Sequence, residues 1–308
     1  MFDLTIIGGG PGGVAAGVYA ARKRLKTLFV TADWGGQSVV SEDIQNWIGT
    51  THIKGEQLAK DLKTHLEEYK GEVLSIVEGV RVTKIEKDGE NFKIMLDNGK
   101  TELSKTVLLT VGSMRRKLTI PGADTYDNKG VTYCASCDGP LYGGMDLVVV
   151  GGGNAAFETA AQLLAYAKSV TLIQRGKDFR ADPITVEKVL ANPKMKGITQ
   201  TELLEIKGEK FVKSLTYKDL NDNNKIKELP ASGIFVEIGL IPSTDIVKDI
   251  VALDETGHVI VDPRTQATSV KGVWAAGDCT DGLYHQNNIA VGDAVKALED
   301  IYMHLHTR

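Results

Sequence analysis

Two stretches, about 140 residues apart, share one local grammar, and together they restrict the chain to a narrow set of folds. The first begins with Leu4-Thr5-Ile6-Ile7, a short β-branched apolar run of the kind buried on both faces of a parallel sheet. Gly8, Gly10 and Gly13 then fit G-x-G-x-x-G, with Pro11 inside the turn. The spacing predicts a tight turn at Gly8, close backbone approach to a pyrophosphate at Gly10, and close helix–strand packing at Gly13. A helix rich in Ala15, Ala16, Ala20 and Ala21 follows, and a second strand is expected at 27–30. The second stretch repeats this pattern. Leu147-Val148-Val149-Val150 leads into Gly151, Gly153 and Ala156, which fit G-x-G-x-x-A and enclose Asn154. A helix and a strand at 170–173 come next. A lone glycine fingerprint is weak evidence, but in strand–turn–helix context it implies a nucleotide held at a helix N-terminus. Two such units in one chain predict an α/β protein with two Rossmann-like, three-layer dinucleotide-binding domains. The natural pair of nucleotides is one flavin and one nicotinamide.

Composition narrows the class further. The 308 residues suffice for two domains, and the 33 glycines show neither a Gly-X-Y period nor a low-complexity tract. A net charge of -4 argues against nucleic-acid binding. No apolar run approaches the ~18 residues needed to span a bilayer. Met1 leads directly into the first strand without a basic region, so no signal peptide is expected. Three cysteines do not make a secreted disulfide framework, and a cytoplasmic setting is expected.

Two of those cysteines form Cys134-Ala135-Ser136-Cys137, followed at once by Asp138 and Gly139, just ahead of the second glycine turn. In a reducing compartment this spacing is redox-active or metal-binding. A zinc half-site would need four ligands, and only Cys279 remains, with no histidine at ligand spacing. Redox chemistry is the expected use. Asp138 offers a proton donor or acceptor beside the pair, with a plain turn residue as the alternative. Cys279 is expected to be a small apolar filler. A dithiol between two nucleotide turns suggests electrons passing from a nucleotide to a disulfide.

Further readings are local. Asp33 stands near the usual distance for a ribose-binding acid, but just past the expected strand end. At the end of the strand after the second turn no acid is found. The run is Gln174-Arg175-Gly176-Lys177-Asp178-Phe179-Arg180, and Arg175 and Arg180 could accommodate a 2′-phosphate, favouring NADPH with NADH possible. Strands are expected at 81–85, 92–96, 106–109, 211–217, 233–238, 258–261 and 273–275. A hairpin turn at Asn221–Asn224 is expected between the fourth and fifth of these. Helices are expected at 55–69 and 289–304.

These residues resemble a known family over essentially the whole chain, the low-molecular-weight thioredoxin reductases. Gly35-Gly36-Gln37, Asn46-Trp47, Cys134-x-x-Cys137-Asp138-Gly139, the second glycine turn, Gly239-x-x-Pro242 and Ala276-Gly277-Asp278 match in order and spacing. Within it, the runs 131–134, 137–141, 151–154 and 233–240 are most similar to the reductase half of the alkyl hydroperoxide reductase flavoprotein. The resemblance implies an FAD domain built from residues 1–112 and 243–308, with an NAD(P) domain, 113–242, inserted between. It implies FAD contacts at Gly8, Gly10, Pro11, Gly13, Gly36, Gln37, Asn46, Gly112, Gly277, Asp278 and Gln286. Nicotinamide nucleotide contacts would fall at Gly151, Gly153, Asn154, Ala156, Arg175 and Arg180. Hydride would pass from NAD(P)H to FAD, and the reduced flavin would open a Cys134–Cys137 disulfide. Cys137 would face the flavin, Cys134 would attack the partner disulfide, and Asp138 would move the proton. The resemblance also implies a homodimer, rotation of the two domains, and a separate thioredoxin-like or glutaredoxin-like partner. Three departures stand out. The family's H-R-R-x-x-x-R reads Gln174-Arg175-Gly176-x-x-x-Arg180, its A-T-G reads Thr110-Val111-Gly112, and its R-Q reads His285-Gln286. The alternatives that stay open are an NADH-dependent reductase of a peroxiredoxin system, a reductase fed by ferredoxin, and a flavin-binding redox sensor.

Overall fold

A computed structural model describes residues 1–41 and 43–307, and the side chains of Val40, Ser136 and Cys137 lie outside the description. In chain order, β1 (Phe2–Gly9), α1 (Pro11–Arg22), β2 (Thr27–Trp34) and α2 (Gly55–Glu67) precede β3 (Leu74–Glu78), β4 (Val82–Asp88), β5 (Asn91–Leu96) and β6 (Thr101–Leu109). Then come β7 (Ser113–Arg115), β8 (Val131–Thr132), α3 (Ala135–Asp138), β9 (Asp146–Val150), α4 (Asn154–Leu163), β10 (Ser169–Ile173) and α5 (Pro183–Leu190). The remainder is β11 (Met195–Ile198), β12 (Thr201–Gly208), β13 (Val212–Asp219), β14 (Lys225–Pro230), β15 (Gly233–Val236), β16 (Leu240–Pro242), β17 (Val273–Ala275) and α6 (Asn287–Thr307).

The chain separates into two compact units, Met1–Met114 with Ile241–Arg308, and Arg115–Leu240. In the first, the order β3-β2-β1-β6 is parallel, with β17 parallel on β6 and β5 and β4 attached antiparallel as a meander. β6 serves two neighbours along one edge: Thr101–Ser104 pair with β5, and Val107–Leu109 pair with β17. The sheet has helices α1 and α6 on one face, where Ala16, Ala20, Ala294 and Ala297 are buried with Phe29 and Leu108. Small side chains on both helices let the two backbones approach. The other face buries Ile7, Leu28, Ile94 and Val107.

In the second unit the parallel sheet runs β11-β10-β9-β15-β8, and β12-β13-β14 form a separate antiparallel sheet. The two chain crossings, β7 and β16, pair with each other. Both glycine fingerprints therefore open helices directly behind a strand of a parallel sheet, β1 in one unit and β9 in the other, giving a mixed α/β fold of two Rossmann-type units.

Three expectations need correction. The hairpin at Asn221–Asn224 joins β13 to β14, not to the 233–238 run. β14 reads Lys-Ile-Lys-Glu-Leu-Pro, half of it charged, and lacks the β-branched signal of a strand. Its pairing comes from β13. The 233–238 run supplies β15, a buried parallel strand inside the second sheet. Residues 258–261 make only isolated bridges, Val259 with Leu253 and with Thr280. Finally, β2 extends to Trp34, so Asp33 lies within the strand, where its exposed carboxylate pairs with Arg81 at 3.3 Å.

Candidate functional site

The first site is built on the β1–α1 turn. A Cβ on Gly13 would fall 1.9 Å from the Gly8 carbonyl oxygen, and one on Gly8, where φ is +121°, would fall 2.2 Å from the Thr110 carbonyl oxygen. Only glycine permits this packing of helix against strand. Gly10 is different: it caps α1 without any capping side chain, and its nearest neighbour is the Gly36 Cα at 3.9 Å from a built Cβ. The turn thus leaves backbone amides at a helix N-terminus facing open space, the arrangement that holds a phosphate.

Later segments close around it. Gly12 and Gly277 both abut Ala290 at the start of α6. Asn46 donates to Gln286 Oε1 at 3.2 Å, Asn288 donates to the Asn46 carbonyl at 2.7 Å, and Ser38 donates to Asn287 at 2.9 Å. Gln37 donates to the Ser113 carbonyl. Gly112 has φ +63° and open space where a side chain would be. The residues Gly8, Gly10, Pro11, Gly13, Gly36, Gln37, Asn46, Gly112, Gly277, Asp278 and Gln286 all belong to this unit. Ser41 Oγ, Ser113 Oγ, His258 Nε2 and His285 Nε2 are buried in this unit without a hydrogen-bond partner among the described residues. A glycine cradle with open space beside Gly10 and Gly112 and amides at a helix start fits a large polar group such as a dinucleotide. His285 stacks on His258 with ring centroids 5.9 Å apart, a contact the sequence did not signal. Cys279 is fully buried, and burial pushes its thiol up to about 12, which suits a filler.

The second site lies at the β9–α4 turn of the other unit. A Cβ on Gly151 would fall 2.3 Å from the Glu237 carbonyl oxygen, while Gly153, the cap of α4, has open space and no capping side chain. Asn154 Oδ1 accepts from the Asp182 amide at 2.8 Å. The Arg180 amide donates to the Gly152 carbonyl at 2.7 Å, so the 174–182 loop folds back on the turn. Gln174 is buried against Gly152, and its Nε2 has no partner among the described residues. Arg175 and Arg180 are both exposed, and neither forms an ion pair among the described residues.

The dithiol segment belongs to this same unit. Cys134 is disulfide-bonded and Cys279 is free. Cys137, expected as the flavin-facing thiol, has its side chain outside the described residues. α3 carries the motif as a single helical turn after β8. Thr132 Oγ1 links its two ends: it accepts from the Cys134 amide at 3.4 Å and donates to Asp138 Oδ2. Burial raises the Asp138 carboxyl, opposed by the Thr132 hydrogen bond and by the positive charge of Arg115. A proton therefore stays on Asp138 to higher pH than on a solvated aspartate, as an acid beside a disulfide requires.

The sign of this shift sets a stability prediction. A raised folded-state value means the protonated form is favoured by folding, so the contribution is present below the unfolded carboxylate value near ~3.9 and is lost as pH rises through the folded value. Asp138→Asn is therefore expected to raise the urea midpoint at pH 8 and to leave it nearly unchanged at pH 3.5. A lower midpoint at pH 8 would contradict the assignment.

Two polar partners were missed in the sequence. Arg115 Nη1 lies 3.8 Å from Glu237 Oε2, and Thr159 donates to Glu237 Oε1 at 2.9 Å. Burial raises Glu237, with Arg115 and Thr159 opposing. The available signal was an acid ending a buried strand. Among the described residues no group of three or more His, Cys, Asp or Glu side chains is placed to hold a metal, and no helix is long and apolar enough to cross a membrane.

The chain is similar over its length to known proteins. A family profile described as pyridine nucleotide-disulphide oxidoreductase matches residues 2–294. The thioredoxin reductase structure from Streptococcus pyogenes MGAS5005 is 33% identical, with a TM-score of 0.89, covering 100% of this chain and 99% of that one. The thioredoxin reductase from Giardia duodenalis is 34% identical, with a TM-score of 0.90, covering 99% and 98%. A protein named for alkyl hydroperoxide reductase, from Xanthomonas campestris pv. phaseoli, is 38% identical over 305 residues. A protein named NADH dehydrogenase from Bacillus subtilis (strain 168) is 36% identical over 296 residues. This chain spans 57% of the length of each of the latter two. With its whole length accounted for by structures of this kind, the chain is an oxidoreductase and belongs to the pyridine nucleotide-disulphide oxidoreductase family.

Proposed function

We propose that the protein is an FAD-dependent disulfide reductase that carries electrons from NADPH to a thioredoxin-like or glutaredoxin-like protein. The observation that carries this reading is Cys134, held in a disulfide one helical turn from the half-buried Asp138, in the unit that also holds a dinucleotide turn. FAD, when bound, supplies the two-electron step between the nicotinamide and the disulfide. The amides at the start of α1 hold its pyrophosphate. Gly36, Gln37, Asn46, Gly112, Asp278 and Gln286 close on the remainder. The start of α4, with Gly151, Gly153, Asn154 and Ala156, holds the nicotinamide nucleotide.

The chain's own chemistry then follows. Two electrons break the Cys134–Cys137 bond, and Asp138 gives a proton to the sulfur that leaves. The Cys134 thiolate attacks one sulfur of the partner disulfide, forming a mixed disulfide and releasing the partner's other sulfur as a thiolate. Cys137 attacks Cys134 Sγ, which restores the internal disulfide and frees the second partner thiol. Thr132 orients Asp138 throughout.

NADPH is favoured over NADH by the exposed Arg175 and Arg180 and by the absence of an acid at the end of β10. Anaerobic titration, followed by flavin bleaching, tests the donor directly. The Arg175→Gln/Arg180→Gln protein should show a KM for NADPH raised about 10- to 100-fold, as expected for lost charge-assisted hydrogen bonds, with NADH use changed little. Equal loss with both nucleotides would overturn the donor assignment.

A second reading, a reductase serving a peroxiredoxin system, is favoured by the 38% identity to the Xanthomonas campestris protein named for alkyl hydroperoxide reductase. Turnover with a purified thioredoxin, glutaredoxin or peroxiredoxin separates the two.

A further inference from the structure

We propose that Arg115 and Glu237 receive the carboxamide of the nicotinamide ring, Arg115 donating to its oxygen and Glu237 accepting from its nitrogen. The proposal rests on the disulfide-reductase reading above and deepens its second nucleotide site, to which it adds two residues with no role in that scheme.

The strand order sets where the ring goes. In the sheet β11-β10-β9-β15-β8, β9 has β10 on one side and β15 on the other. β10 is the next strand in the chain after α4, whereas β15 returns only after the β12-β13-β14 sheet, so the winding reverses at β9. A dinucleotide lies across the carboxyl ends of the strands at such a reversal, with its pyrophosphate at the helix start. Arg175 and Arg180, assigned above to the adenosine end, follow β10, and the amides at the start of α4 take the pyrophosphate. The nicotinamide then falls to the carboxyl end of β15, and Glu237 is the first residue beyond it. The backbone there is fixed to the turn itself. The Glu237 amide donates to the Val150 carbonyl at 2.8 Å, and the Glu237 carbonyl oxygen lies 2.3 Å from a Cβ built on Gly151.

The two side chains are held from either side. Thr159 of α4 donates to Glu237 Oε1 at 2.9 Å, which leaves Oε2 to Arg115 among the described residues. Arg115 ends β7, and the amide of Arg116 beside it donates to the Gly239 carbonyl at 3.0 Å, just past Glu237 in the chain. Arg115 Nη1 stands 3.8 Å from Oε2, beyond hydrogen-bond reach. A charged donor and a charged acceptor therefore stand side by side without satisfying one another, and the guanidinium is 34% exposed, open to a ligand. A primary carboxamide carries an acceptor oxygen and a donor NH2 on one carbon, the complement of this pair. An anion is opposed by Glu237 and a cation by Arg115, so a neutral group with both functions fits best.

Calorimetry on the flavin-loaded, oxidised, full-length protein tests this without turnover. The probes are NADP+, its acetylpyridine analogue, in which a methyl replaces the amide NH2, and 2′-phospho-ADP, which lacks the nicotinamide half. The wild type should bind NADP+ about 10- to 100-fold more tightly than the analogue, the range for a hydrogen bond to a charged group. Glu237→Leu should bring that ratio close to one. Arg115→Met should weaken both dinucleotides and hold the ratio, since both keep the carbonyl oxygen. Neither variant should change the affinity for 2′-phospho-ADP. A wild-type ratio near one, a ratio that Glu237→Leu leaves in place, or a loss shared by 2′-phospho-ADP would overturn the proposal. A general effect of the Glu237 charge on the ring would weaken both dinucleotides alike and gives the second of these results. NAD+, its acetylpyridine analogue and ADP repeat the comparison without the 2′-phosphate. If neither 2′-phospho-ADP nor ADP binds, the nucleotide reading itself fails, a result distinct from the loss of the ratio. Circular dichroism identifies any unfolded variant. If Glu237→Leu is one, Glu237→Gln, which keeps the shape without the charge, should still lower the ratio, and an unchanged ratio there would overturn the proposal.

Discussion

Cys134→Ser is expected to leave bleaching of the flavin by NADPH intact while lowering reduction of a disulfide-containing redoxin by about a thousandfold or more. The first half follows from where the parts lie. Nucleotide binding is assigned to the starts of α1 and α4, and neither turn includes the thiol segment. The second half follows from nucleophilic chemistry: a serine hydroxyl is not ionised at working pH and cannot replace a thiolate in exchange, and loss of a nucleophile costs about 10³-fold or more in comparable enzymes. The packing around α3 has little to lose, since the substitution keeps the size and the Cys134 amide still donates to Thr132. Stopped-flow absorbance and a coupled redoxin assay on the same preparation check both halves. Redoxin reduction within tenfold of the wild type would remove Cys134 from the attacking role.

Gly13→Ala is the second large effect. Its Cβ would sit 1.9 Å from the Gly8 carbonyl oxygen and 2.8 Å from Thr110 Oγ1. Both belong to strand ends, and Thr110 Oγ1 already donates to the Ile7 carbonyl at 2.8 Å, so neither can retreat without breaking the β1–β6 edge. Overpacking of this kind costs about 3 kcal/mol or more. The helix start would move away from the strand, and with it the amides that face the phosphate. The protein should purify with little flavin absorbance near the visible band of FAD and with a lowered urea midpoint. Gly153→Ala makes the contrast: nothing lies within 4 Å of its built Cβ, so folding should hold while nucleotide affinity falls. Full flavin content in Gly13→Ala would mean that the turn does not hold the cofactor.

Much of this fold was legible because its signals are local. The short, mostly apolar β-branched run before each glycine turn marks a buried parallel strand, and both turns open the expected helices. Local signals failed where pairing, not propensity, makes a strand. β14 is a charged sequence held by β13, and the 258–261 run has strand composition but finds only isolated partners. The boundary at Asp33 was misplaced because β2 continues past its apolar core into a half-exposed edge.

The site divides in the same way. Cys134, Cys137 and Asp138 fall within one five-residue stretch, and spacing alone marks them. Arg115 and Glu237 are 122 positions apart and meet only because β7 and β15 bring them together. The Gln174 side chain is a third case. Read as a missing acid at a strand end, it lies buried against Gly152, a contact set by tertiary packing.

Electron transfer from the nucleotide should reach the Cys134 disulfide. The direct measurement is an anaerobic NADPH titration of the flavin-loaded protein, with free thiols counted under denaturing conditions at each addition. Roughly two equivalents should be consumed, since flavin and disulfide each accept two electrons, and two thiols should appear beyond the one contributed by Cys279. Flavin bleaching complete at about one equivalent, with the Cys134 disulfide still closed, would contradict it.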